Sequence, residues 1–135
     1  MKKINIVILL LSILLTGCKD EDKDNILDLS NGFLQQTAWE GTITFLREND
    51  SSQRIIGISF ITENTGYYED SEIYPDRQFQ FSYRVDGKLL SVEHHSLISG
   101  DWFLVEMNKN KDQLVFKQNI HSQFNTNTLK LFKVY

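Results

Sequence analysis

The chain has 135 residues, with 18 acidic against 14 basic side chains and a formal net charge of −4. An acidic chain without a basic stripe is a poor partner for nucleic acid, whose binding surfaces neutralise phosphates with Lys and Arg, and anionic lipid would repel it as well. A single cysteine excludes an intramolecular disulfide, and one proline, seven glycines and frequent Phe, Tyr, Ile, Val and Thr favour strands over helices.

At the amino end, Lys2 and Lys3 precede an apolar run over residues 4–15 that only Asn5 and Ser12 interrupt, the layout of a secretory signal. The run is too short to span a bilayer, which takes about 20 residues at 1.5 Å each. It ends in Leu15-Thr16-Gly17-Cys18, where a branched apolar residue and two small ones lead to the lone thiol. These four residues resemble the lipobox of bacterial lipoproteins. The resemblance implies that the Cys18 sulfur carries a diacylglyceryl group, that the signal 1–17 is cut away, and that the new amino terminus is acylated. Several acyl chains on one residue hold durably, since each buried methylene contributes roughly 0.8 kcal/mol. Lys19-Asp20-Glu21-Asp22 resembles the lysine-plus-acidic signals that send some Gram-negative lipoproteins to the outer face of the outer membrane. Without that resemblance the same residues are a solvated spacer. Loss of Lys2 and Lys3 with the signal makes the remaining chain more acidic still.

Residues 18–33 read as the lipidated cysteine and an acidic linker, with a short turn near 26–34 where Ile26, Leu29 and Phe33 have helical spacing. The remaining 34–135 suffices for one core and one domain. Strands are expected at 37–46 and 54–62, joined by the polar turn 48–52, and at 66–70. Phe79-Gln-Phe-Ser-Tyr-Arg-Val85 alternates apolar with polar, Asp86-Gly87 follows, and residues 88–94 resume in strand-like types. Asp-Gly is a two-residue hairpin signal, and its register sets Val85 opposite Lys88, Tyr83 opposite Leu90, Phe81 opposite Val92 and Phe79 opposite His94. Residues 101–107 and 112–118 flank the polar loop 108–111, which pairs Met107 with Asp112, Val105 with Leu114 and Phe103 with Phe116. That register leaves Trp102, Leu104 and Val115 on the outer face. The last strand, 128–135, carries Leu129 and Leu131 on one side and Phe132 and Val134 on the other.

Eight consecutive short strands with tight connections predict an all-β fold, an eight-stranded up-and-down antiparallel barrel whose closure removes exposed edges; two packed sheets are the alternative. Leu34-Gln-Gln-Thr-Ala-Trp39-Glu-Gly, Asn64-Thr-Gly-Tyr67, Phe81-Ser-Tyr83 running into Val85-Asp-Gly87, Leu114-Val-Phe116 and Leu129-Lys-Leu131 together resemble the small lipocalin-like domains of bacterial lipoproteins over about 34–135. Two departures stand out. Thr37 occupies the place of the glycine in the lipocalin Gly-x-Trp, and no arginine of the last strand covers Trp39, Lys130 and Lys133 being the nearest substitutes.

Little here points to catalysis. Adjacent His94 and His95 face opposite sides of a strand and cannot share an ion, and Glu69-Asp70-Ser71-Glu72 with Asp76 reads as a solvated acidic loop whose spacing fits no calcium site. His94 is expected inside near Phe79. No Gly-x-Ser-x-Gly, phosphate loop or Cys-His pair is present, so neither an enzyme nor a cofactor is expected. The candidate site is the barrel interior, where Trp39, Phe79, Phe81, Tyr83, Phe103 and Phe116 converge with Leu90, Val92, Val105, Met107 and Leu114. An interior of eight strands either fills with side chains or holds one small molecule, and the aromatics favour filling. Two functions stay open: a noncatalytic, lipid-anchored module that binds a small apolar ligand, or a structural or adhesive module meeting another protein through an outer face around Trp102, Leu104 and Tyr67-Tyr68.

Overall fold

The computed structural model describes residues 27–30, 32–93, 97–122 and 124–135. The proposed signal, Cys18, the acidic run after it, and His94 with His95 lie outside the described residues. Eight strands follow in chain order: β1 (Thr37–Arg47), β2 (Asp50–Phe60), β3 (Thr65–Glu69), β4 (Gln78–Asp86), β5 (Leu89–Glu93), β6 (Gly100–Met107), β7 (Gln113–Gln118) and β8 (Asn127–Lys133). Each pairs antiparallel with the next and β8 returns to β1, so the sheet is a closed up-and-down barrel. The expected fold is therefore present, and the sandwich alternative is not. Among the described residues 27–30 and 32–34 no helix forms. Residues 32–36 are turns, Gln36 is left-handed (φ 58°), and Leu29 and Leu34 plug one end of the barrel, called here the base.

Two expected registers are corrected. The β4–β5 hairpin pairs Asp86 with Leu89 and Val85 with Leu90, so its turn is Gly87-Lys88 rather than Asp86-Gly87. Gly87 takes φ 59° while Lys88 does not turn positive, the pattern of a type II′ turn with glycine first. The slip is by two residues, which preserves the inward faces: Phe81, Tyr83, Leu90 and Val92 all remain buried.

The second correction changes faces. Met107 pairs with Leu114, Glu106 with Val115, and Leu104 with Phe116, a bulge taking up Val105. One inserted residue reverses the alternation. Met107 stays inward after the bulge, but before it Trp102 and Leu104 are the fully buried residues, while Phe103 and Val105 turn outward. The loop geometry cooperates, since Asn108 Oδ1 accepts the backbone N–H groups of Asp112 (3.0 Å) and Gln113 (2.9 Å), and Lys111 adopts φ 57°. Trp102 is held by donating its indole N–H to the Ile98 carbonyl at 2.7 Å.

Closure depends on a close backbone approach. Gly41 lies opposite Leu131, and a Cβ there would fall 1.8 Å from the Lys130 carbonyl oxygen. Gly66 serves the packing instead: a methyl at that position would meet the Phe81 ring at 2.5 Å and the Ser59 carbonyl oxygen at 2.6 Å.

Candidate functional site

The interior, marked by the sequence as the candidate site and favoured there as filled, is tightly packed among the described residues. Trp39, Phe81, Tyr83 and Phe116 point inward with Phe60, Trp102, Leu104, Leu129 and Leu131, and each keeps only 0–5 % of its surface accessible. A void wide enough for one water would leave accessible area on its lining, so these side chains fill the space between them. Their rings touch: Phe60 meets Tyr83 edge-on at 4.9 Å between centroids and Phe81 at 5.9 Å. Phe79 is half-buried toward the far end of the barrel, close to Tyr68 (6.1 Å) and Tyr74 (5.2 Å). Phe103 leaves the set, because the bulge turns it outward.

The base answers the question raised by Thr37. Trp39 donates its indole N–H to the Thr37 hydroxyl at 2.8 Å, and that hydroxyl donates to the Leu34 carbonyl. A glycine could not bridge them. The Phe33 ring, 6.2 Å from Trp39, covers the indole, while Lys130 and Lys133 point to solvent. Tyr83 donates its hydroxyl to the Thr62 carbonyl, and burial, with the nearby Glu63 charge second, pushes its pKa up.

Toward the far end, the acidic stretch after β3 is not uniformly solvated as expected. Asp70 is completely buried. Its Oδ2 accepts the Tyr68 hydroxyl (3.2 Å) and an Arg54 guanidinium N–H (3.4 Å), and its Oδ1 accepts the backbone N–H groups of Glu72 (3.2 Å) and Ile73 (3.3 Å). The carboxylate thus ties the β3–β4 loop to the barrel wall. Burial, then the Asp70 charge, drives the Tyr68 pKa well above the usual phenol value. Among the described residues no group of three or more His, Cys, Asp or Glu side chains is placed to hold a metal ion.

The outer face proposed as adhesive is also redrawn. Trp102, Leu104 and Tyr68 are interior, and the apolar side chains that do face solvent include Tyr67, Val105 and Phe132, the last beneath the Lys130 ammonium (5.4 Å). A recess that sequence reasoning missed lies outside the base, about 450 Å³ in volume, between Leu29, Ser30, Gly32, Leu34 and Gln35 on one side and the β2–β3 loop and the lower half of β4 on the other. Leu29 and Leu34 give it an apolar floor, and Glu63, Asn64 and Arg84 give it polar walls. No periodicity marks it, since it arises where β3 stops short of β4's full length. No family model, curated protein or solved structure matches the chain.

Proposed function

We propose that the chain is a lipid-anchored, noncatalytic surface lipoprotein whose lipocalin-like barrel is a scaffold for contacting another protein rather than a container for a small apolar ligand. The observation that carries this reading is the packed interior: Trp39, Phe81, Tyr83 and Phe116, four of the side chains expected to line a ligand cavity, are spent on one another and on Phe60, Leu104 and Leu131. Attachment to the outer membrane through Cys18 rests on the apolar run and the four residues that end it, and surface exposure rests on Lys19-Asp20-Glu21-Asp22. The noncatalytic part rests on the absence from the sequence of any recognisable nucleophile or phosphate motif, and no cofactor or nucleic acid enters the reading.

Native mass spectrometry of protein extracted gently from membranes tests it in one measurement. The expected species begins at Cys18, carries the mass of its acyl chains and nothing further, and Cys18→Ala lacks those chains. A stoichiometric apolar molecule that copurifies, or an unacylated native chain, overturns the reading.

A further inference from the structure

The outer wall of the barrel changes character toward the base. β8 runs to that end, and Lys130, Phe132 and, just past the strand, Val134 are its solvent-exposed alternate residues there. Phe132 and Val134 keep about half of their surface accessible and Tyr135 keeps 73 %. The chain past β8 stays on the rim, because Val134 donates its N–H to the Ala38 carbonyl at 2.7 Å and Ala38 donates to the Tyr135 carbonyl at 2.9 Å. Exposed Ile61, one residue past β2, extends the apolar rim on the other side of β1. The Lys130 ammonium stands over the Phe132 ring at 5.4 Å, and its residue lies about 7 Å farther from the base. From the base upward the order is apolar, aromatic, ammonium. A bilayer interface imposes that order, since rings settle at headgroup level and a lysine stem carries its charge out to the phosphates.

Charge divides the two ends. Among the described residues, the loops of the far end after β1 and β3 expose Glu48, Asp50, Glu72 and Asp76 against Arg47 and Arg77. At the base, Lys88, Lys109, Lys111 and Lys133 offset Asp28, Glu63, Asp86 and Asp112. Glu40 lies opposite Phe132 on β1, and Lys130, one pair up the same face, offsets it. Leu46, Ile73 and Tyr74 are exposed at the far end too, but they stand among its carboxylates, which anionic lipid repels. Chain length points to the same end. Only residues 19–26 separate Cys18 from Leu27, a reach of about 30 Å at full extension, and Leu29 is bonded to Gly87 at the base. So short a tether holds the base near the bilayer at an effective concentration of roughly millimolar, enough to populate a weak contact.

We propose that the base rim docks on the lipid surface that holds Cys18, with Phe132, Val134 and Tyr135 entering the interface below the headgroups and Lys130 and Lys133 meeting the phosphates. The proposal rests on the reading of Cys18 as acylated and deepens it, because it fixes which end of the barrel the bilayer covers. The far end and the walls away from β8 are then left for a partner protein.

The test uses the full acylated chain, reconstituted in vesicles of phosphatidylethanolamine and phosphatidylglycerol that contain a phosphatidylcholine with a nitroxide high on its acyl chain. Cys18 is the one cysteine, and with its sulfur alkylated an introduced cysteine is the only free thiol. Asn110→Cys places a fluorophore on the exposed base loop after β6, and Ser51→Cys places one at the far end. The base label is expected to be quenched about twofold or more strongly than the far-end label, as the nitroxide lies within reach of the interface alone. Phe132→Ser with Tyr135→Ser, both at exposed positions, should bring the two labels to equal quenching. Val105→Ser, which removes an exposed apolar side chain from another part of the wall, should leave the difference intact. Equal quenching at both ends, stronger quenching at the far end, no response to the double substitution, or the same response to Val105→Ser overturns the docking. The mass of each sample is read first. A chain without acyl groups overturns the anchoring itself, whereas an acylated chain with equal quenching overturns the docked base alone.

Discussion

Single side chains show how this barrel replaces one solution with another. The Thr37 hydroxyl accepts from Trp39 and donates to Leu34, which satisfies a buried indole and anchors the segment that plugs the base. Thr37→Val keeps the shape and removes both bonds, so it should cost about 1–3 kcal/mol, the penalty of an unsatisfied buried donor. Thr37→Ser should recover most of that loss, and urea unfolding of the three proteins gives the comparison. Tyr68 carries a pH signature. Its phenol is harder to ionise in the folded chain, because of burial and the Asp70 carboxylate. The folded protein therefore holds a proton that the unfolded chain releases above a pH of about 10. The stability linked to Tyr68 is complete below that pH and is lost as pH rises beyond it. Urea midpoints measured from pH 8 to 11.5 should fall more steeply for the native chain than for Tyr68→Phe; parallel curves would show that the phenol is not shielded.

At the scale of elements, β6 is where alternation and packing part company. Residues 103, 105 and 107 form a faultless apolar series, as do 102 and 104, so pattern alone has two solutions. The bulge at Val105 combines them, taking 102 and 104 before it and 107 after it. Leu104→Ala should accordingly cost about 2–5 kcal/mol, the range for a buried leucine. Val105→Thr, at an exposed outer position, should change stability by no more than about 0.5 kcal/mol. If thermal melts rank the two in the opposite order, β6 runs in the unbulged register. The β4–β5 hairpin differs in kind, since its two-residue slip leaves the same faces buried. Its inward residues were legible from the sequence even though the turn residues were not.

For the whole molecule, closure is the decisive feature. β1 is the longest element together with β2, and its tight seam with β8 at Gly41 converts a meander with two open edges into a ring. A ring of eight strands is narrow, and large side chains crowd its inside: Trp39, Phe60, Phe81, Trp102 and Phe116 each keep no more than 2 % of their surface accessible. Outside the ring, β3 is shorter than β4, and a recess of about 450 Å³ lies beside the lower half of β4.

The order and type of the eight strands and the inward series on β4, β5 and β7 were determined by the sequence itself, because a period of two and the turn residues between runs are local properties; on β8 the sequence separated Leu129 and Leu131 from Phe132, and the barrel decided that the leucines face inward. The proposal that Cys18 is acylated likewise rests on neighbouring residues alone, and the mass of the native protein tests it. Tertiary structure alone decided the phase of β6, the burial of Asp70, the use of Thr37 and the recess beside Val85. Each of these depends on groups distant in sequence meeting in space: a one-residue insertion judged against the partner strand, a carboxylate that reaches Arg54 across the wall, a hydroxyl between Trp39 and Leu34, and a strand that ends before its neighbour does.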